Sequence, residues 1–328
     1  MFSVPFNQTE EEIELYRDNE DIIKEIYAPI SPNFLHTARH IGWSEKNDYL
    51  LEELLKTSSE TSIGLNLLMN SINDDKIFMM NDLKDMLNQV YEYQKLGLKK
   101  VTVANPILYR AIVENLPGID IGLSVIANAD TIEKIKQFYD FGNLVEYCVP
   151  PKLTRNRDFI EKIKSLFDGV KIKMMVNCFC NPNCVGFIHH HIEASSGKKE
   201  KDTGYFNYVC SQHTINPLKK NIIFPNEIEH YSEYVDVFKI SGRETHTETM
   251  SEILDLYRNP KKLKEYNFLK VLDGYKAKGA YLYDISPKNG PSRNLDLIEN
   301  CDYMCIENKC DHCGEMLAKN FEFMEGEL

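Results

Sequence analysis

Cysteine and histidine side chains are concentrated in one short stretch of this chain. Residues 176–191 read VNCFCNPNCVGFIHHH, in which Cys178, Cys180 and Cys184 fall within seven residues and three histidines follow. Thiolates and imidazoles are the ligands that zinc, iron and iron–sulfur centres take in proteins. We therefore predict that Cys180 and Cys184, joined by the later Cys210, are metal ligands.

The fourth ligand of this first centre is open at the level of sequence. Cys178, His213 and an exchangeable molecule are the three alternatives, and an exchangeable position would let a substrate bind the metal. Cys178 is equally well explained as a small core residue, because free cysteines are often buried. The histidines 189–191 cannot all face one way in a helix or a strand, so one is expected to face the site.

A second cysteine group lies near the C-terminus, in the segment CDYMCIENKCDHC. Its spacing is C-x3-C-x4-C-x2-C, and the predicted ligands are Cys301, Cys305, Cys310 and Cys313. Four thiolates suit either a structural Zn²⁺ ion or a 4Fe–4S cluster. Zinc ribbons more often carry two C-x2-C pairs a dozen or more residues apart, so the compressed block favours iron–sulfur, with zinc and four free thiols as alternatives.

Eight short β-type runs alternate with segments of helical periodicity. The runs begin at residues 2, 23, 62, 99, 119, 144, 170 and 234. Between two of them, DTIEKIKQFYDFG repeats apolar residues at helical spacing before a glycine. This alternation predicts a parallel sheet, and eight units predict an α/β fold of the TIM-like (β/α)8 type, in which functional residues gather where the strands end.

The cysteines divide the predicted organisation into two parts. Residues 1–255 are predicted to form the barrel, with a cysteine-bearing insertion after strand 7 that contains a cluster-binding loop over 178–213. Residues 256–328 are predicted to be a C-terminal cysteine-rich extension, helical at first and ending in the four-cysteine tail.

Polar residues at the predicted strand ends are candidate site residues. Arg243, at the end of the eighth strand in KISGR, could pair a carboxylate or phosphate through two parallel hydrogen bonds, or form a structural salt bridge. The predicted catalytic residues are Arg243, Asn177, His190 and His191. The predicted substrate-binding residues at this stage are Asn105, Arg155, Arg157 and Asp158, although charged loop residues are often only solvated.

Composition and net charge argue against a membrane protein, a disulfide-stabilised protein and a nucleic-acid-binding protein. The chain has 328 residues, nine cysteines and a formal net charge of −12. It shows no apolar run of eighteen residues and no basic region leading an apolar stretch, which predicts a cytoplasmic protein without a membrane partner. An odd cysteine count without an export signal favours metal over disulfides. The negative charge makes nucleic acid a less favoured partner.

Taken together, these motifs resemble the collagenase-like peptidase family U32. The resemblance covers most of the chain and rests on SVPFN, VTVANP, SVIA, NRDF, the cysteine and histidine motif, the segment IIFPNEIEHYSEYVDVFKISGR, and the cysteine-rich tail. It implies a four-iron cluster held by cysteines, with Cys180, Cys184 and Cys210 as the matching ligands. Similar proteins have a further cysteine where this chain has His213, and another residue is common at the position of Cys178. The resemblance also makes Arg39 a substrate-binding candidate, because relatives often carry Gly-rich and arginine-containing sequence in the stretch that reads FLHTARH here.

The resemblance also implies an activity. The better understood relatives are iron–sulfur proteins that hydroxylate without O₂, some of them with prephenate as an anionic oxygen donor, and many work with a homologous partner. We therefore expect one or two 4Fe–4S clusters and O₂-independent hydroxylation, or a related redox modification, of a small molecule or peptide. The alternatives are a metal-dependent peptidase, for which no H-E-x-x-H or G-x-S-x-G motif is present, and a non-catalytic iron–sulfur or zinc scaffold or electron relay.

Overall fold

Eight parallel strands form a closed barrel in sequence order, with β1 pairing both β2 and β8. The computed structural model describes residues 1–29, 37, 45–73, 79–178, 180–195, 217–219, 221–242, 245–264, 283–285 and 298–323. The strands are Phe2–Pro5 (β1), Ile23–Pro29 (β2), Gly64–Met69 (β3), Lys100–Val103 (β4), Asp120–Leu123 (β5), Leu144–Cys148 (β6), Lys171–Met175 (β7) and Val237–Lys239 (β8). The predicted TIM-like (β/α)8 barrel is confirmed, and each predicted run contains one of these strands.

Helices connect successive strands around the outside of the barrel. They are Glu10–Arg17 (α1), Glu45–Glu60 (α2), Met80–Lys95 (α3), Pro106–Asn115 (α4), Ile132–Phe141 (α5), Arg157–Leu166 (α6), Phe187–Ser195 (α7), Ile228–Tyr231 (α8) and Thr247–Arg258 (α9). Near the C-terminus, Tyr283–Ile285 (β9) pairs antiparallel with Phe321–Phe323 (β10), and His312–Asn320 forms α10. Within these described residues, no helix combines the length and apolar character that crossing a membrane requires.

The helix boundaries follow from local sequence. Thr9, Asn105, Thr131 and Asn156 each accept a backbone N–H at the start of a helix through the side-chain oxygen, which satisfies donors that the helix itself leaves unpaired. Gly142 follows α5 with φ of +100°, a conformation that glycine adopts at little cost. The helix predicted before this glycine is therefore confirmed.

The strands bury apolar residues on their outer face, under the helices. Val101 and Val103 of β4 and Ile172 and Met174 of β7 are fully buried in the same apolar core as helix residues such as Ile160. Each such side chain contributes about 1.5–3 kcal/mol by leaving water. The residues between them point into the barrel, and there the composition is polar.

A ring of four charges fills the lower barrel interior. Lys100 Nζ lies 2.8 Å from Glu25 Oε2 and 2.7 Å from Glu146 Oε2, and Lys173 Nζ lies 2.6 Å from Glu146 Oε1 and also bonds Glu25. Although burial opposes ionisation, Lys173 and Lys100 hold the pKa of Glu25 well below its usual range. Two carboxylates and two ammonium groups are thus in mutual contact, and their formal charges cancel.

Candidate functional site

The loop that carries the first cysteines is fixed to the end of β8. Asn177 is fully buried, its Nδ2 donates to Ser241 O at 2.9 Å, and its Oδ1 accepts from Ser241 N at 2.6 Å. These two hydrogen bonds join the chain beyond β7 to the chain beyond β8. Asn177 thus holds the cysteine loop in place, and its predicted catalytic role stays a prediction.

Two thiols converge at the carboxyl end of the barrel. Cys178 is 7 % exposed and packs in a small apolar cluster with Cys148 and Met175. Its Sγ lies 3.2 Å from the Sγ of the half-buried Cys180, and neither residue is in a disulfide. Cys178 is therefore both a packed residue and a neighbour of a predicted ligand.

Cys148 lies beneath these thiols as a core residue. It is 4 % exposed, and burial raises the pKa of its thiol, against the lowering effect of Lys239 and Lys173. Cys148 is therefore a core residue.

Cys184 lies at the edge of a pocket of 280 Å³ that opens between three loops. Asn128 contributes from the loop after β5, Lys152 from the loop after β6, and Cys184 from the loop after β7. Loops that follow consecutive strands meet at the carboxyl end of a (β/α)8 barrel, where such barrels keep their active sites. The predicted ligand Cys184 is thus beside a cavity of small-molecule size.

The histidines of the opening motif lie on α7, the helix that follows Cys184. The His191 ring packs at 4.7 Å from the ring of Phe187 and at 5.3 Å from that of His190, both measured between centroids. His189 is exposed, whereas His190 and His191 are half-buried. His189 thus differs from the other two in its exposure, and the expectation that one histidine faces the site stays a prediction, as do the catalytic roles of His190 and His191.

The C-terminal cysteine segment packs on the barrel beside the first cysteine loop. Asn183 Nδ2, next to Cys184, donates to Tyr303 O at 3.2 Å, and Cys313 Sγ lies 3.8 Å from Leu218 O. Asn300 N donates to Arg155 O at 2.6 Å. The two cysteine groups, separated by more than a hundred residues in sequence, are thus neighbours in the fold.

The four tail thiols are close enough to influence one another. Burial raises the pKa of Cys305, and Cys301, Cys313 and Cys310 raise it further, against the lowering effect of Lys219. Among the described residues, no three cysteine, histidine or carboxylate side chains are already arranged around a point that could hold a metal ion. The tail therefore gathers the predicted ligands on one segment without presenting a finished coordination shell.

Arg155 lies inside the fold. It is 1 % exposed, its Nη2 donates to Leu218 O at 2.7 Å, and its guanidinium carbon lies 5.0 Å from the centroid of the Tyr303 ring. The side chain therefore packs between the barrel and the cysteine tail, and its predicted role in binding substrate stays a prediction.

The other predicted polar residues also have structural contacts. Arg157 forms ion pairs with Glu161, Glu233 and Glu299, and the amide of Asp158 donates to Asn300 Oδ1 at 3.0 Å. Asn105 Oδ1 accepts from the amides of residues 107 and 108 at the start of α4. Binding of substrate by these residues stays a prediction. Arg39, Cys210, His213 and Arg243 lie outside the described residues.

Several inward-facing residues were not found by sequence reasoning. Lys239 Nζ lies 4.0 Å from the centroid of the Tyr27 ring, one layer above the charge ring and close to Cys148. The signal was available, because Glu25, Glu146 and Lys173 are charged residues at the centre of apolar strand runs. Their alternation with apolar residues marks the inner face of a closed barrel.

The chain is thus a closed (β/α)8 barrel that carries thiols at the carboxyl end of its strands. No protein-family model matches the chain. It is 24% identical over 298 residues to the uncharacterized protease MJ1657 of Methanocaldococcus jannaschii, which covers 88% of this chain and 82% of that protein. The solved structure of the U32 peptidase Mk0906 matches with a TM-score of 0.52 at 16% identity, covering 74% of this chain and 93% of that one. The first finding is a sequence similarity along most of both chains, and the second is a likeness of fold.

Proposed function

We propose that this chain is an iron–sulfur enzyme of the U32 type that carries out an O₂-independent hydroxylation, or a related redox modification, at the barrel mouth. The observation that carries the proposal is the position of Cys178, Cys180 and Cys184 on one loop at the carboxyl end of β7, with the pocket beside Cys184. The carboxyl end is where barrels of this class do chemistry.

The donor chemistry of the site suits the proposed cofactor. Thiolates are the usual ligands of a 4Fe–4S cluster, and the proposed set is Cys180, Cys184 and Cys210, with Cys178, His213 or an exchangeable molecule in fourth place. A bound cluster would supply one-electron chemistry and, with an open iron, Lewis acidity.

The chain's own residues would position the reaction. Asn177 holds the loop through Ser241, and the apolar residues around Cys178 exclude water from its thiol. Lys239 brings a positive charge near Cys148 and so to the layer below the loop.

The substrate we propose is a small molecule or a peptide, with an anionic oxygen donor such as prephenate. The pocket volume and the net charge of −12 support this class over nucleic acid. For the tail we propose a second 4Fe–4S cluster, or Zn²⁺, bound by Cys301, Cys305, Cys310 and Cys313. Its contact with the first loop through Asn183 and Tyr303 supports an electron-transfer or clamping role, with a homologous protein or electron donor as partner.

The test is metal analysis of anaerobically purified protein. We expect iron and sulfide, with an EPR signal on reduction that Cys184→Ala removes or changes and a second component that Cys310→Ala removes. Cys148→Ala is the matched control, because this buried thiol is predicted to bind no metal and its loss should leave the iron content unchanged. A colourless protein with stoichiometric zinc and no sulfide would refute the proposal.

A peptidase is the second candidate function, favoured by the names of the two similar proteins. Hydrolysis of denatured collagen or casein by the anaerobic protein, surviving removal of iron by a chelator, would support it. Loss of all hydrolysis on further purification, with the iron retained, would support the redox enzyme instead.

A further inference from the structure

Two thiols at the carboxyl end of the barrel are in contact, although no bond joins them. Cys178 Sγ lies 3.2 Å from Cys180 Sγ, and neither residue is in a disulfide. A disulfide bond is about 2.05 Å long, so the two sulfurs need to approach each other by only roughly 1 Å. A single residue separates the two cysteines in sequence, which keeps them close together. The pair is thus placed to form a disulfide.

The two thiols differ in how far solvent reaches them. Cys178 is 7 % exposed and packs with Val125, Cys148 and Met175 in a small apolar cluster. Cys180 is half-buried and packs against that cluster. Redox-active cysteine pairs often combine an accessible thiol with a second thiol that lies close to it. An oxidant from solution therefore meets Cys180 first, and Cys178 lies next to it.

Two other cysteines of this region are less suited to pair with Cys180. Cys148 is 4 % exposed on β6, and burial raises the pKa of its thiol, which leaves little of the reactive thiolate. Cys184 lines the pocket together with Lys152. The disulfide is therefore expected between Cys178 and Cys180, where the sulfur contact lies.

A disulfide at this position would be reversible and not a structural crosslink. The stabilisation that a disulfide gives grows with the length of the loop that it closes, and residues 178–180 close a very short one. Exposed or strained disulfides are also the ones that are reduced most readily. The bond would therefore change the chemistry of the cysteine loop without fixing the fold.

We propose that Cys178 and Cys180 form a reversible disulfide in the metal-free protein, with Cys180 as the attacking thiol and Cys178 as the resolving thiol. The oxidant is a low-molecular-weight disulfide. The inference goes beyond the proposed function, because the two thiols react whether or not the protein ever binds iron. Its consequence rests on that function: Cys180 is a proposed cluster ligand, so disulfide formation and cluster binding exclude each other at this loop.

The reaction consists of two successive thiol–disulfide exchanges. Cys180 gives up a proton, and its thiolate attacks one sulfur of the oxidant, which breaks the S–S bond and releases one small thiolate. Cys178 then gives up its proton, and its thiolate attacks the Cys180 sulfur of the mixed disulfide and releases the second small thiolate. The two released thiolates take up the two protons. Two cysteine thiols are thus oxidised to one disulfide, and the oxidant is reduced by the same two electrons.

The experiment equilibrates the full-length protein, purified anaerobically and stripped of metal with a chelator, in buffers of increasing ratio of oxidised to reduced glutathione. Remaining thiols are alkylated, and the protein is digested with trypsin. Cleavage after Lys173 and Lys198 places Cys178, Cys180 and Cys184 on one peptide. We expect this peptide to contain one disulfide and a single alkyl group, which fragmentation by mass spectrometry assigns to Cys184. Treatment with dithiothreitol before alkylation should restore all three alkyl groups.

Two variants test the order of the steps. Cys178→Ser keeps the attacking thiol and removes the resolving one, so the glutathione adduct of Cys180 should rise at least about tenfold, because a thiol in contact acts at a high effective concentration. Cys180→Ser should show neither the disulfide nor an adduct on the buried Cys178. Cys184→Ser is the matched control, since it removes a thiol from the same loop, and its Cys178–Cys180 disulfide should form at the same glutathione ratio as in the wild type.

Three results would overturn the inference. They are three alkylated cysteines on the peptide at every glutathione ratio, a disulfide that involves Cys184 or Cys148 instead, and equal glutathione adducts in the wild type and Cys178→Ser. Iron is measured on the same preparation before the chelator is added. The disulfide in protein that carried no iron keeps the inference and refutes the iron–sulfur function, whereas iron without the disulfide refutes the inference and keeps that function.

Discussion

Polar side chains have different partners in the lower barrel interior and at the cysteine-bearing rim. In the interior, Glu25, Glu146, Lys100 and Lys173 form a closed ring in which each charge contacts two of opposite sign. At the rim, Cys178 and Cys180 lie against apolar side chains with their sulfurs 3.2 Å apart, and Cys184 borders an open pocket. The charges of the ring are paired with one another, whereas at the rim Cys184 borders a cavity.

The difference distinguishes side chains that pair with one another from side chains that can still bind a ligand. A buried charge needs a partner of opposite sign, and a ring that is fully paired has little left to offer a substrate. Thiols are small and weakly polar, so they tolerate an apolar environment and keep their capacity to bind a metal. Polar residues in a barrel are therefore not by themselves a sign of an active site.

Breaking the ring should give the largest effect. Lys173→Met leaves Glu25 and Glu146 with one buried cation between them, and we expect the free energy of unfolding to fall by about 3–5 kcal/mol. Urea denaturation at neutral pH measures it. Lys171→Met, an exposed lysine two residues away on the same strand, is the control and should change stability by about 0.5 kcal/mol or less. A loss below 1 kcal/mol in Lys173→Met would show that the ring is not a scaffold.

A buried carboxylate without such cations should respond oppositely to pH. Glu12 accepts hydrogen bonds from Asn7 and Tyr16, yet burial raises its pKa from 4.5 to about 7. A raised folded-state pKa stabilises the protein fully below pH 4.5, and this contribution is lost as the pH rises through about 7. The loss amounts to about 3 kcal/mol.

The measurement is urea denaturation of the wild type and Glu12→Gln between pH 5 and pH 8. We expect the wild type to lose stability relative to the variant as the pH rises. Glu25 has the opposite sign, because its lowered pKa gives stability that is lost only as the pH falls below about 4.5. Parallel profiles for the wild type and Glu12→Gln would show that Glu12 titrates normally.

Arg155 links the rim to the C-terminal cysteines, and its removal should loosen the tail. Arg155→Leu loses the hydrogen bond to Leu218 O and the contact with the Tyr303 ring. Hydrogen bonds from charged groups contribute about 1.5–3 kcal/mol, so we expect thiols of the metal-free tail to react with a disulfide reagent at least about tenfold faster. Arg157→Leu breaks partly exposed ion pairs and a contact with the Tyr234 ring, and it should change the rate by less than about fivefold. Equal rates in the two variants would contradict the expectation that Arg155 holds the cysteine tail against the barrel.

The smallest effect is expected at Asn105. Its side chain caps α4, so Asn105→Ala should cost about 1 kcal/mol of stability, and Asn105→Asp should retain most of it. Thermal unfolding of the three proteins measures this. Wild-type stability in Asn105→Ala would show that this cap does not stabilise α4.

Much of the fold could be predicted from local sequence. The eight strand runs, the helix before Gly142 and the thiols after the seventh strand all depend on side chains within a few residues of one another. The role of Arg155 could not be predicted in this way. Its neighbours Leu218 and Tyr303 come from distant parts of the chain, so a residue that reads as a loop cation is buried under the tail.

By itself, the sequence determined the number and order of the strands, the ends of several helices and the clustering of the cysteines, because hydrophobic periodicity, capping and spacing are local properties. Only the tertiary structure decided which side chains meet. Lys173 contacts Glu25, which is 148 positions away in the sequence, and Asn183 contacts Tyr303, which is 120 positions away. Barrel closure and strand register fix such pairs, and they depend on the packing of the whole chain and not on any one segment of it.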